Sequence, residues 1–144
     1  GGGEPTRFRA TPDRETRPAL SPDGRTIAYS RQSGTGTEGL FIERFPEGGN
    51  AQPVETESWN EPRWSRDGRE LLYHGPSALM SVGFDPQTGR LTSSPEPILP
   101  APPTLGGFDT TPDGNVVMPQ EPPRDEYVRL MPILIENWRK LLER

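Results

Sequence analysis

The chain carries one histidine, His74, and no cysteine. A serine-type hydrolase would need that histidine as its base, within reach of a serine and steered by a carboxylate. The nearest run to a nucleophile elbow, Gly75-Pro76-Ser77-Ala78-Leu79, lacks the second glycine of Gly-x-Ser-x-Gly. His74 reads more simply as a loop-facing end of a strand. With one histidine and no thiol, a zinc site would have to be built mostly of carboxylates, which zinc sites seldom are. No Gly-x-x-x-x-Gly-Lys phosphate loop occurs, and none of the protein-kinase motifs. No residue is therefore assigned a catalytic, cofactor-binding or metal-ligating role, no cofactor is expected, and the chain is read as non-enzymatic.

The acidic residues that recur are Asp23, Asp67 and Asp113, each followed by a glycine: Gly24, Gly68 and Gly114. A column of aspartates could hold calcium. The simpler chemistry is local. In Ser-Pro-Asp-Gly, proline pre-sets φ for the first corner and aspartate bonds its own backbone. Glycine then takes the left-handed conformation that closes a bulged hairpin. All six residues are assigned as structural turn residues. Of the tryptophans, Trp64 stands at the same distance before its glycine as Leu20 does and is read as core. Trp59 has no apolar counterpart in phase and falls in a loop, so it is the candidate contact residue. Arg25 and Arg69, just after the turn glycines, are read as solvated, and the basic residues Arg139, Lys140 and Arg144 suit a helix C-terminus.

These corners belong to a repeat. Pro18-Ala19-Leu20-Ser21-Pro22-Asp23-Gly24-Arg25-Thr26-Ile27-Ala28-Tyr29 aligns with Pro62-Arg63-Trp64-Ser65-Arg66-Asp67-Gly68-Arg69-Glu70-Leu71-Leu72-Tyr73. A weaker third copy runs from Phe108 to Met118, with Thr110 where the others have an apolar residue and Pro119 in place of the tyrosine. The turn glycines stand 44 and 46 residues apart, close to the period of about 40–45 residues of a four-stranded propeller blade. Leu20 and Trp64 before the glycine, and Ile27 and Leu71 after it, are the expected inward-facing positions. A second hairpin follows in each unit: 39–45 turning at 46–50 into 51–55, and 79–84 turning at 85–89 into 90–92, with Phe45 and Phe84 ending matching strands. The outer strands are polar and contain proline, which suits an edge that must not pair with other molecules.

Composition agrees with short strands and many turns. Only 29% of the 144 residues are hydrophobic, against 16 Gly and 19 Pro. Those glycines and prolines fall at repeated offsets between apolar runs, unlike those of a disordered chain. The net charge of −5, from interleaved acids and bases, leaves no basic stripe of the kind a nucleic-acid partner needs. No run approaches the roughly 18 apolar residues of a membrane span. The start, Gly1-Gly2-Gly3-Glu4-Pro5, lacks an initiator Met and the parts of a signal peptide, so a fragment or processed product is expected.

The run 17–25, the run 61–73 and the closing Ile135-Glu136-Asn137-Trp138 together resemble WD-repeat-like propellers of the TolB type. They are most similar to the C-terminal sensor-like propellers of bacterial membrane-anchored serine/threonine protein kinases; similar propellers are also fused to winged-helix regulators. The resemblance covers residues 5–142. It implies an all-β partial propeller of about two and a half four-stranded antiparallel blades. Residues 5–12 would be the outer strand of a preceding blade, 17–56 and 61–99 two blades, 106–135 a partial blade, and 136–143 a short C-terminal helix. Within these, 98–103 reads as a proline-rich connector and 127–135 as a strand interrupted near Pro132. The implied function is non-catalytic recognition of a protein, peptide or small ligand, in a periplasmic or extracytoplasmic setting. The rival is a propeller fragment of a prolyl-oligopeptidase-like peptidase lacking its hydrolase domain. An open arc of blades leaves apolar flanks in water, so further blades or self-association are expected to complete it.

Overall fold

The computed structural model describes residues 4, 8, 11–36, 38–55, 61–100, 107–119 and 132–135. The secondary structure there is all β. The Asp-Gly corners fold the chain first. Strands β1 (Arg14–Leu20) and β2 (Thr26–Gln32) pair antiparallel across the first corner, with Leu20 opposite Ile27. β3 (Glu38–Arg44) pairs with β2 along its whole length, and β4 (Gln52–Glu55) closes this four-stranded sheet. β5 (Arg63–Trp64) and β6 (Glu70–His74) repeat the motif across the second corner. β7 (Ala78–Asp85) pairs with β6, then with β8 (Arg90–Leu91) at one end and β9 (Glu96–Pro100) at the other. A third sheet orders β10 (Asp109–Thr110), β11 (Val116–Pro119) and β12 (Pro132–Ile135). Phe45 and Phe84 do occupy matching places: their N–H groups donate to the carbonyls of Arg25 (2.9 Å) and Arg69 (2.7 Å), the residues after the turn glycines.

The sheets stand side by side like the blades of a fan, with the first strand of each at the hub. β5 contacts both β1 and β10. The Trp64 indole N–H donates to the Ala19 carbonyl (3.0 Å), and the Thr110 hydroxyl donates to the Trp64 carbonyl (3.4 Å). Period-2 alternation of side chains divides the apolar residues of the middle sheet between its two faces. Leu71, Tyr73, Val82, Phe84 and Trp64 pack with Ala28, Leu40, Ile42 and Val54 of the first sheet. Leu72, Leu79 and Ile98 pack on Val116 and Met118 of the third and on Phe108, which leads into it. A strand buried on both faces explains why Glu70–His74 reads Leu-Leu-Tyr without alternation. The chain is a partial β-propeller.

Three expectations change. Leu20 does not face inward; it is 48% exposed, whereas Trp64 is 7% exposed. The two are repeat counterparts, but Trp64 has the first sheet to bury against, while the corresponding flank of the first sheet carries no described sheet. That flank presents Leu20, Ile27, Tyr29 and Phe41, around a cavity of about 290 Å³ lined by Phe8, Glu15, Thr16, Pro18, Ile27 and Tyr29. Second, residues 98–100 are not connector: Ile98, Leu99 and Pro100 lie in β9, and Ile98 is buried. Third, 90–92 is only a two-residue pairing at the end of β7, so the outer edge of this sheet is shared by β8 and β9. The expected outer strand at 5–12 falls mostly outside the described residues, although Phe8 packs on Phe45 at 5.1 Å between ring centroids. The C-terminal helix at 136–143 lies outside them, as does the strand ahead of Pro132.

Candidate functional site

The two ends of the fan are built differently. At one end sit the Asp-Gly corners. Gly24, Gly68 and Gly114 have φ of +71°, +67° and +86°, a region that penalises residues with a Cβ. Each corner closes with a glycine N–H to the carbonyl three residues back, 2.9 Å in all three. Asp23 Oδ1 accepts from the Arg25 N–H (3.0 Å) and the Ser21 hydroxyl (2.6 Å); Asp67 Oδ1 accepts from Arg69 N–H (3.2 Å) and Ser65 (2.7 Å). The hydroxyl bond, chiefly, holds the Asp23 carboxyl below its usual range, and Thr111 does the same for Asp113. The hydroxyl of residue i−3 to each glycine was not singled out from the sequence. Its oxygen also accepts an N–H: Thr26 to Ser21 (2.9 Å), Glu70 to Ser65 (3.0 Å), Asn115 to Thr111 (3.0 Å). The Ser/Thr at a fixed offset in all three repeats was the available signal. This end is occupied with holding its own turns.

The opposite end is where β6 stops and β5 and β10 start. Antiparallel pairing places Glu61 (before β5), His74 (last in β6) and Gly107-Phe108 (before β10) at this end, away from the corners. Phe108 is buried, and its ring meets the His74 imidazole edge-on at 5.1 Å, 82° between planes. Gly107 is exposed. A Cβ on it would collide with Glu61 Oε2, so the bare Cα lets that carboxylate lie against the backbone. Arg63 and Asp109 pair nearby at 3.8 Å. Trp59, the candidate contact residue, lies outside the described residues.

His74 is not loop-facing. It is 6% exposed, and neither ring nitrogen has a hydrogen-bond partner. On the other face of the same strand, the buried Tyr73 hydroxyl is likewise unpartnered. Each such group costs about 1–3 kcal/mol if left unmet. Burial pushes the imidazole pKa below its usual value, against the opposing pull of the Glu61 charge. Burial, with the Glu55 charge, pushes the Tyr73 phenol well up. A neutral imidazole offers one donor and one acceptor, so His74 can bind but has no hydroxyl bonded to it that it could activate. Among the described residues no cluster of three or more metal-ligating side chains gathers. No described helix is long and apolar enough to cross a membrane.

No protein-family model matches the chain, and no curated protein sequence matches it. Among solved structures it is similar to the β-propeller domain of the Trilobed protease from Pyrococcus furiosus, described as having an open velcro topology, with a TM-score of 0.56 and 18% identity. The likeness covers 85% of this chain and 41% of that one, so the chain spans less than half the length of the propeller it resembles. At this identity the comparison establishes the fold, a β-propeller.

Proposed function

We propose that the chain is part of a recognition propeller that takes a peptide, protein segment or small ligand at the end where Glu61, His74 and Gly107-Phe108 meet. One observation carries this: a buried imidazole with both nitrogens unmet, set where the starts of two hub strands and the end of a third strand converge. Binding commonly falls to loops held by rigid strands, and a buried polar group unmatched within the fold calls for a partner from outside it, a ligand or a water. The sensor propeller of a bacterial serine/threonine kinase is the parent protein that the sequence motifs favour. The test is amide mapping by NMR during titration with a panel of short synthetic peptides of differing charge. Shifts gathered at 61–63, 74–78 and 107–109 are expected. Shifts gathered instead at the Asp-Gly corners would overturn the assignment of the end.

The second reading, a propeller belonging to a peptidase, is favoured by the protease origin of the similar structure. There the same end would guide peptide substrates toward a hydrolase elsewhere in the parent protein. The parent gene decides between them: a kinase domain supports the first reading, an α/β-hydrolase the second.

A further inference from the structure

We propose that His74 is an acid-sensitive latch on the start of the third sheet: when the imidazole takes up a proton, Phe108 leaves its place against the ring and β10 parts from the middle sheet. The latch stands apart from the recognition reading, although it acts at the same end. The ring is 6% exposed and lies edge-on to Phe108 at 5.1 Å, and neither nitrogen is open to water or meets a hydrogen-bond partner. Neutral, it leaves one donor and one acceptor unmet. Protonated, it carries a charge and two N–H donors with no acceptor beside either. A buried charge without a partner costs far more than a buried neutral ring, so the proton comes only with a change that lets water in.

The charges around the closed ring do not relieve this. Glu61, ahead of β5, pulls toward the protonated form, and burial outweighs it. Arg63 of β5 and Asp109 of β10 pair with each other at 3.8 Å, in contact with solvent. Among the described residues, the stretches of β7, β9 and β11 in the same seam (78–80, 98–100 and 116–118) bring no ionisable side chain. On β6 itself, Tyr73 faces the first sheet and Glu70 stands at the corner end. Phe108 is the part that yields. β10 is two residues long, with Asp109 exposed and Thr110 half-buried. Its described polar ties to β5 are the Arg63 ion pair and the 3.4 Å bond from the Thr110 hydroxyl to the Trp64 carbonyl. Phe108, 3% exposed, is the buried anchor at the start of that strand, packed with Leu72, Leu79 and Ile98 as well as His74. The seam between the first and middle sheets lies on the other face of β6 and has its own anchors in Trp64, Phe84 and Leu40. The opening is therefore local, confined to the few contacts that hold β10.

The test needs no ligand, so its failure leaves the recognition reading to its own titrations. Amide hydrogen exchange is followed by NMR from about pH 8 to about pH 5, as protection relative to an unstructured chain at each pH. Protection at 109–111 and 116–118 is expected to fall once the pH drops below the ordinary imidazole value of 6.5, by up to about tenfold per pH unit. Protection at 28–30 and 40–42 of the first sheet is expected to stay level. In His74→Phe, which fills the same space and takes no charge, both sets of amides stay level. The inference is overturned if the third-sheet amides of the unaltered chain ignore pH, if His74→Phe shows the same fall, or if all sheets lose protection together. Should His74→Phe not fold, the unaltered chain decides, because His74 is its one histidine and a long-range ¹H–¹⁵N spectrum reports that ring alone. Loss of the Overhauser contact between His74 and Phe108 in step with ring protonation upholds the latch; a protonated ring that keeps the contact overturns it.

Discussion

Leu20 and Trp64 occupy the same repeat position and should respond very unequally to truncation. Trp64 is 7% exposed, crosses to the first sheet through its indole bond to the Ala19 carbonyl (3.0 Å), and meets Phe84 edge-on at 4.9 Å. Trp64→Ala removes that burial and opens a cavity between two sheets, a change that costs about 3–5 kcal/mol. This is a large share of the roughly 5–15 kcal/mol that holds a typical domain folded. Trp64→Phe keeps a ring and the contact with Phe84 but leaves the Ala19 carbonyl without its donor, at about 1–2 kcal/mol. Leu20 is 48% exposed, so Leu20→Ala forfeits only part of a leucine's burial, about 1 kcal/mol or less. The assay is urea unfolding followed by far-ultraviolet circular dichroism. If Trp64→Ala is unfolded without urea, the comparison of Trp64→Phe with Leu20→Ala carries the result. Equal losses at the two positions would mean that stability resides within each sheet, and the inter-sheet account would be refuted.

Gly68→Val should destabilise the chain by about 1–3 kcal/mol, read as a lower unfolding midpoint, because it forces a β-branched residue into φ +67° beside Pro22; an unchanged midpoint would remove the turn assignment. Stability should fall as pH drops below 6.5. Above that value His74 is neutral in both states, and below it the unfolded chain takes up the proton first, until the lower folded pKa is passed. His74→Phe should flatten that limb of the profile. Stability should also fall above pH 10, where the unfolded tyrosine ionises before the buried Tyr73 does; both limbs are read as unfolding midpoint against pH. The isolated chain should self-associate with rising concentration through the flank of Leu20, Ile27 and Phe41, and Leu20→Lys should reduce this in sedimentation velocity. A monodisperse chain that melts cooperatively would count against an unfinished flank.

Much of the fold was legible because its signals are local. The Asp-Gly corners declare hairpins by turn chemistry alone, and their spacing gives the blade period. What escaped was whatever depended on neighbours. Leu20 and Trp64 are equivalent in sequence, and only the presence of an adjoining sheet separates an exposed residue from a core one. Ile98-Leu99-Pro100 looked like a connector because proline flanks it, yet Pro97 and Pro100 sit on the outer edge of the sheet, where a missing N–H costs little. Glu43 shows the reverse. It takes the place that Val82 holds in the middle sheet, is 3% exposed, and accepts from the Tyr29 hydroxyl at 3.0 Å and from the Gly49 N–H; a buried acid on an otherwise apolar face has no local signature. His74 was placed at the right end of the right strand. Its burial depends on Phe108, a residue 34 positions away that leads into another sheet.

The fan of sheets is tested most directly by proton–proton contacts in the labelled chain. A nuclear Overhauser spectrum should join the Trp64 indole to Ala19 and Leu40, and the His74 ring to Phe108, linking the first sheet to the second and the second to the third. Absence of both sets, with the apolar faces of the first and third sheets in contact with each other instead, would replace the fan with a two-layer sandwich.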